Sequence, residues 1–149
     1  MSLSTKIMTA MKDAMKAKDQ NALTSLRAVK SAILLAQTES GAKEELTEEQ
    51  ELKLLQKLVK QRKDSAKIFA EQGREDLAGP ELAQAEVISG FLPEQMDTEA
   101  IRLIVQEVIT NVGASGMKDM GKVMGQVNAK VAGKADGGTI ASIVKSLLQ

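Results

Sequence analysis

Apolar residues recur at helical spacing along almost the whole chain of 149 residues. Spacings of three and four alternate, which places the apolar side chains on one face of a helix, as in Ala22, Leu26, Val29, Ile33 and Ala36. The sequence shows no period-two alternation flanked by hairpin turn residues, the pattern that is typical of strands. It therefore predicts an all-α protein.

The N-terminal part of the chain predicts a series of capped helices. The first starts at Ser4 as N-cap and runs toward Lys18, and Asp19 caps the second. The predicted apolar face of the first helix consists of Ile7, Met8, Met11 and Met15.

The longest predicted helix covers about residues 48–72. Thr47 and Gln50 form a capping-box signature at its start, and Gly73 suits the position after its end. Pro80 then marks the first turn of a shorter helix.

A turn punctuated by Pro93 is the best candidate for a domain boundary. Residues 1–92 would form a helical N-terminal domain with long antiparallel helices. Residues 93–149 would form a small C-terminal domain of three helices, which is marginal in size for folding alone.

Caps and glycines divide the C-terminal part into its three helices. Asp97 or the next residue caps the first helix, which ends at Gly113. Gly116 or the residue before it starts the second helix, which Gly133 ends. Asp136 caps the last.

The composition excludes much catalytic chemistry. The sequence has no Cys and no His, so it lacks thiolate nucleophiles, disulfides, the usual zinc ligands and the side chain best suited to proton transfer at neutral pH. Its carboxylates are scattered among turns and helix starts, and GxxxxGK[ST] is absent. We predict no catalytic residue, no metal site, no cofactor and no bound nucleotide.

The longest apolar run, Ala32 to Ala36, is far shorter than the roughly 20 residues that cross a bilayer. The N-terminus lacks the apolar segment of a secretory signal, and no disulfide has to form. We expect a cytoplasmic protein without a membrane partner.

The formal net charge of zero conceals two regions of opposite charge. Residues 71–107 hold two basic and nine acidic side chains, a net charge of minus seven. Residues 108–149 hold five lysines and two aspartates, a net charge of plus three. The C-terminal end is therefore the better candidate for the region that binds an anionic ligand.

The stretch GMKDMGKVMGQVNAKVAGKADGG, residues 116–138, combines helical periodicity with glycines. Lys118 and Lys122 lie opposite the predicted apolar stripe, with Gly125 beside them and Gly121 on a flank. The predicted buried stripe consists of Met117, Met120, Met124, Val127 and Val131.

Each glycine inside this helix costs about 1 kcal/mol relative to alanine. One explanation is the close approach of an external phosphodiester strand, which a bare backbone beside Lys118 and Lys122 would admit. The other is that Gly121 allows a neighbouring helix of the same protein to pack tightly. The sequence leaves both open.

A second basic run, KLVKQRKDSAK, lies in the longest predicted helix. Such a run is usually a solvated face, and the alternative is a second surface for an anionic partner. Its candidate residues are Lys60, Arg62, Lys63 and Lys67, with Lys57 one turn earlier.

Several motifs in a fixed order resemble a known family. QRKDS, GREDL and LPEQ occur within residues 60–96, and KDMGKVMG and GKADG within residues 113–148. Together they are similar to the YqeY-like family, and the resemblance covers nearly the whole chain. That family is similar to the C-terminal tail domain of the B subunit of the tRNA-dependent glutamine amidotransferase, a carbon–nitrogen ligase with glutamine as amide donor.

The resemblance implies a helical tRNA-contacting module without the amidotransferase's catalytic domains. The positions that it implies for tRNA contact are Lys118, Gly121, Lys122, Gly125, Lys130, Gly133 and Lys134. Ala135 and Asp136 also match the motif, and we expect Asp136 to cap the last helix rather than to contact RNA.

Two functions follow as hypotheses. The first is a non-catalytic module that binds tRNA or assists tRNA amidation. The second is a protein-interaction module that accepts a partner helix on the face of Gly121 and Gly125.

Overall fold

The computed structural model describes residues 2–39, 41 and 45–149. These residues are mostly helical and include no strand, so the predicted all-α class is confirmed. The helices are α1 (Leu3–Ala17), α2 (Gln20–Glu39), α3 (Glu48–Glu71), α4 (Glu75–Ser89), α5 (Thr98–Val112), a single 3₁₀ turn (Met117–Asp119), α6 (Met120–Lys130) and α7 (Gly137–Leu148). The chain divides into two compact units, Met1–Leu92 and Pro93–Gln149.

Side-chain caps start several helices at the positions expected from the sequence. The Asp19 carboxylate accepts a hydrogen bond from the backbone N–H of Ala22 at 3.0 Å, just before α2. Both hydrogen bonds of the capping box form at α3. Thr47 Oγ1 accepts a hydrogen bond from the backbone N–H of Gln50 at 3.2 Å, and Gln50 Oε1 accepts one from the backbone N–H of Thr47 at 2.9 Å. These caps satisfy N–H groups that have no partner within their helix.

The predictions for α1 were wrong in two respects. Its N-cap is Ser2 rather than Ser4, and Met8 and Met15 are each 52% exposed. The helix instead buries Leu3, Ile7 and Ala14. Because only two residues separate α1 from α2, the two helices pack closely, and a small residue such as alanine fits between them better than methionine.

The position of Pro80 was also predicted incorrectly. α4 starts at Glu75, a full turn before Pro80, which therefore lies inside the helix. The extra turn buries Ala78, which is 1% exposed. Glu75 and Asp76 lie in that first turn, where a negative charge interacts favourably with the helix dipole.

Each unit has its own apolar core. The core of the N-terminal unit is rich in leucine, and its buried residues are Leu3, Ile7, Ala14, Leu23, Leu26, Val29, Ile33, Leu55, Leu58, Val59, Ala85 and Ile88. The core of the C-terminal unit is rich in valine and isoleucine, and its buried residues are Ile101, Val105, Val108, Val123, Val127, Val131, Ala135, Ile140, Ile143, Val144 and Leu148. The smaller side chains suit helices that are short and close together.

The C-terminal unit confirms three of the predicted helix ends. Asp97 caps α5 through a 2.8 Å bond from the N–H of Ala100, and Gly113 ends that helix with φ +67°. Asp136 caps α7, where its carboxylate accepts from the N–H of Thr139 at 2.8 Å and from the hydroxyl of the same residue at 2.9 Å.

Candidate nucleic-acid interface

The loop before α6 sets where this helix begins. Gly116 has φ +91°, outside the helical region, and a 3₁₀ turn follows it. The Asp119 carboxylate accepts a hydrogen bond from the N–H of Ser115 at 2.9 Å, which holds the loop. The α-helix therefore starts at Met120, four residues later than predicted.

The buried side of α6 is centred on valines rather than methionines. Val123, Val127 and Val131 are 1% exposed or less. Met120 and Met124 are only partly buried, and Met117 is 42% exposed, so the prediction for Met117 was wrong. It lies in the 3₁₀ turn, where the rotation of 100° per residue used for an α-helix does not apply.

Gly121 and Gly125 lie on the exposed side of α6. Apart from the helix's own backbone, a Cβ placed on either glycine would have no heavy atom within 4 Å in the described part of the C-terminal unit. Within the C-terminal unit, Gly121 therefore does not accommodate a neighbouring helix. The backbone of α6 is open to an external partner at these two positions.

Lys122 lies in α6 next to Gly121, Lys118 lies in the 3₁₀ turn that precedes α6, and both lysines are exposed. Neither forms an ion pair within the described residues. α6 also lacks a side-chain cap and has no acidic residue in its first turn. Asp119, the N-cap residue of α6, adds a negative charge at this end, so Lys118, Lys122 and Asp119 together carry a net charge of plus one beside the positive end of the helix dipole.

Lys130, at the other end of α6, is already paired. Its Nζ lies 3.2 Å from Glu107 Oε1 of α5, and both side chains are substantially exposed. Such a pair contributes little stability and exchanges readily with water. Lys130 is therefore less available to an external anion than Lys118 and Lys122.

Gly133 and Lys134 bond to the segment that precedes α5. Gln95 Nε2 donates to the carbonyl of Gly133 at 2.8 Å, and the N–H of Met96 donates to the carbonyl of Lys134 at 2.8 Å. Gly133 is buried and has φ +75°, whereas Lys134 is exposed. Gly133 therefore has a structural role here, and the Lys134 side chain extends the basic surface.

We call these two bonds the 95–134 clamp. No periodicity or cap signals a contact between residues 38 positions apart in the sequence, so the clamp could not be predicted from the sequence. The match of Ala135 to the family motif also has a structural explanation, because Ala135 is 8% exposed and belongs to the core.

The basic run of α3 separates into side chains with different partners. Lys60 forms an ion pair with Asp64 at 2.7 Å. Arg62 is partly buried and donates to Gln84 Oε1 of α4 and to the carbonyl of Leu58, both at 3.2 Å. Lys63 and Lys67 are exposed and have no ion-pair partner within the described residues.

Neither a cluster of metal ligands nor a membrane-spanning helix accompanies these basic surfaces in the described part of the chain. Residues 2–39, 41 and 45–149 contain no group of three or more potential metal ligands that could hold an ion. None of their helices has the length and the apolar character needed to cross a membrane.

Comparison with known proteins places the chain in a family. It matches the model described as "Yqey-like protein" over residues 4–148, and the chain therefore belongs to the YqeY-like family, as its motifs predicted. A relative from Clavispora lusitaniae (strain ATCC 42720) is 32% identical over 142 residues, covering 93% of this chain and 80% of the relative. One from Pyrenophora tritici-repentis (strain Pt-1C-BFP) is 31% identical over 128 residues, covering 84% and 68%.

Both relatives are named "Altered inheritance of mitochondria protein 41, mitochondrial". Their names contradict the cytoplasmic location expected from the sequence. That expectation relied on the missing secretory signal and on the absence of disulfides, and neither property distinguishes the cytoplasm from the mitochondrion.

Proposed function

We propose that this YqeY-like protein is a non-catalytic helical module that binds tRNA through the exposed side of α6. We call this surface, formed by Gly121, Lys122 and Gly125 of α6 and by Lys118 of the 3₁₀ turn before it, the α6 face. The observation that carries the proposal is the open backbone at the two glycines, together with Lys118 and Lys122, which form no ion pair within the described residues. Lys134 would extend the same surface.

The energetics favour an external partner for the α6 face. The two glycines together cost about 2 kcal/mol of helix stability, and no packing within the C-terminal unit offsets this cost. A phosphodiester backbone can approach glycine more closely than any other residue. The lysines would then neutralise phosphates and release counterions, which supplies most of the affinity in binding that does not depend on sequence.

The composition supports recognition of the RNA backbone rather than of its bases. Phe69 and Phe91 are the only aromatic residues, and both belong to the N-terminal unit. The α6 face therefore has no ring on which a base could stack. The resemblance to the amidotransferase tail domain supports tRNA as the RNA and assistance of tRNA amidation as the process.

In this proposal residues 93–149 are the three-helix binding domain, and residues 1–92 form a separate domain of long antiparallel helices. The chain supplies no catalytic residue, and any amidation chemistry would reside in a partner. The competing function is the docking of a partner helix on Gly121 and Gly125, which uses the same open backbone but does not need the lysines.

The test measures binding of the full chain to total tRNA over a series of salt concentrations. The Lys118→Glu, Lys122→Glu double variant should weaken binding and flatten its salt dependence, because two phosphate contacts are lost. The Gly121→Leu, Gly125→Leu double variant should weaken binding without a change in charge. Lys6→Glu, Lys12→Glu in α1 is the control, since it makes the same change in charge at two exposed positions.

Loss of binding in both α6 variants, with the α1 control close to the native protein, would support the proposal. Undetectable binding of native protein to tRNA at low salt would overturn it. A protein partner that survives nuclease treatment and is lost only in the glycine variant would instead establish helix docking.

A further inference from the structure

The exposed side of α3 carries a second set of lysines, separate from the α6 face. The helix buries Leu55, Leu58, Val59 and Ala66 on its opposite side. Lys57, Lys63 and Lys67 are all exposed and fall within an arc of about 120° on the solvent side of the helix. We call these three residues the outer α3 face, which extends for about 15 Å along the helix axis at 1.5 Å per residue.

Acidic neighbours neutralise other lysines of α3 but not these three. Glu49 pairs with Lys53 at 2.9 Å, and Asp64 pairs with Lys60 at 2.7 Å. Among the described residues, no carboxylate forms an ion pair with Lys57, Lys63 or Lys67. Glu71 limits the face at the end of the helix. The three lysines therefore keep uncompensated positive charges, and the neutral Lys60–Asp64 pair lies among them.

The chemistry of the face fits phosphate better than carboxylate. Arg62, the one arginine of α3, is directed inward to Gln84 and Leu58, so the face offers ammonium groups alone. A guanidinium recognises a carboxylate through two parallel bonds, whereas an ammonium on a flexible stem acts as a point charge. Several spaced point charges suit a chain of phosphates.

We propose that the outer α3 face is a second contact for an RNA phosphate backbone. This inference rests on the proposed function, because it assigns a further contact surface to the same class of ligand. It adds that the N-terminal unit takes part in binding, and that the two surfaces contribute separately to the salt dependence.

The test compares three variants of the full chain in salt-titrated binding to total tRNA. One variant carries Lys57→Gln, Lys63→Gln and Lys67→Gln. The matched control carries Lys6→Gln, Lys12→Gln and Lys16→Gln in α1, which removes the same charge from three exposed positions. The third is the Lys118→Glu, Lys122→Glu variant of the α6 face. Circular dichroism verifies that each variant keeps its helical content.

The α3 variant should lower the slope of log affinity against log salt by about 2, because three phosphate contacts are lost. The α1 control should change that slope by less than about 1. A slope in the α3 variant equal to that of the α1 control overturns the inference, and a loss confined to the α6 variant then leaves the proposed function standing.

If native protein does not bind tRNA, both the inference and the proposed function fail. If restoring positive charge with Lys57→Arg, Lys63→Arg and Lys67→Arg keeps the native slope, the charge itself is responsible, as the inference requires. Poly-L-glutamate is the competitor that identifies the occupant. If poly-L-glutamate at the same charge concentration displaces tRNA from the native protein but not from the Lys57→Gln, Lys63→Gln, Lys67→Gln variant, the face accepts acidic protein segments, and the assignment to RNA is overturned.

Discussion

Helices α3 and α6, which carry the two proposed contact surfaces, are stabilised in opposite ways. α3 has 24 residues, a complete capping box and three glutamates in its first turn, and its sequence contains no glycine. α6 has 11 residues, two exposed glycines and no side-chain cap. Helices as short as α6 are not stable alone in water, so α6 depends on its buried valines where α3 has support from its own sequence.

Because of this difference, the two helices present their lysines to a partner in different ways. α3 presents lysine side chains on a backbone that other side chains cover. α6 presents lysines beside a bare backbone, which a partner can approach directly. The glycines of α6 are thus compatible with folding only because the core of the C-terminal unit holds the helix in place.

The largest expected effect comes from removing that core support. Val127→Ala should lower the free energy of unfolding of the C-terminal unit by about 2 kcal/mol, since it deletes two buried methyl groups and leaves a cavity. Hydrogen exchange should show loss of protection along α6. Val59→Ala in α3 is the matched control, and protection of the α3 amides should largely remain. Equal losses along both helices would contradict the comparison.

The residues that follow the two helices allow a second test. Gly73 after α3 and Gly133 after α6 have φ +73° and +75°, and alanine in this conformation costs about 1–2 kcal/mol. The cost should be larger for Gly133→Ala, because Gly133 is buried and its carbonyl belongs to the 95–134 clamp. Urea denaturation measures both. A larger loss for exposed Gly73→Ala would show that the clamp does not constrain this site.

The exposed glycines of α6 should yield a gain in stability. Gly121→Ala and Gly125→Ala should each stabilise the C-terminal unit by about 1 kcal/mol, because a Cβ has open space at both positions and alanine favours the helix. Gln61→Gly at an exposed position of α3 should cost a similar amount. Thermal unfolding measures all three. A destabilising Gly→Ala change would mean that a contact in solution occupies that space.

The smallest effect concerns the start of α4, which follows α3. The Arg74 guanidinium donates to both Asp76 oxygens at 3.0 and 2.9 Å, and this bonding lowers the pKa of Asp76 below its ordinary 3.8. The pair therefore stabilises the folded state above pH 3.8, and this contribution is lost as the pH falls through the lower folded value. Arg74→Gln should raise the pKa of Asp76, measured by NMR titration of its carboxyl carbon. An unchanged pKa would show that the pair does not persist in solution.

Local signals in the sequence predicted much of the fold. A cap such as Thr47 with Gln50 acts over three residues, and helical periodicity acts within one helix, so both can be recognised without tertiary information. Side-chain burial depends on which helix lies opposite. Ala14 is buried while the more hydrophobic Met15 is exposed, so the hydrophobicity of a single residue does not predict whether it is buried.

The residues of the candidate site could also be predicted from the sequence, but their contacts could not. The glycines and lysines of the α6 face are evident in the sequence. The sequence does not show that the space around the glycines is open, or that Lys130 is paired with Glu107. These properties depend on contacts between different helices. The clamp is still harder to predict from the sequence, because neither Gln95 nor Met96 belongs to a pattern that indicates a contact with the loop after α6.

The 95–134 clamp also determines where the chain tolerates extra residues. Its donors come from Gln95 and Met96, just before the cap of α5 at Asp97. Residues inserted before Pro93 would lengthen the connection to the N-terminal unit and leave both bonds intact. Residues inserted between Met96 and Asp97 would separate the clamp from the helix that it anchors. A tag, a label or a second protein can therefore be placed on one side of this short segment and not on the other.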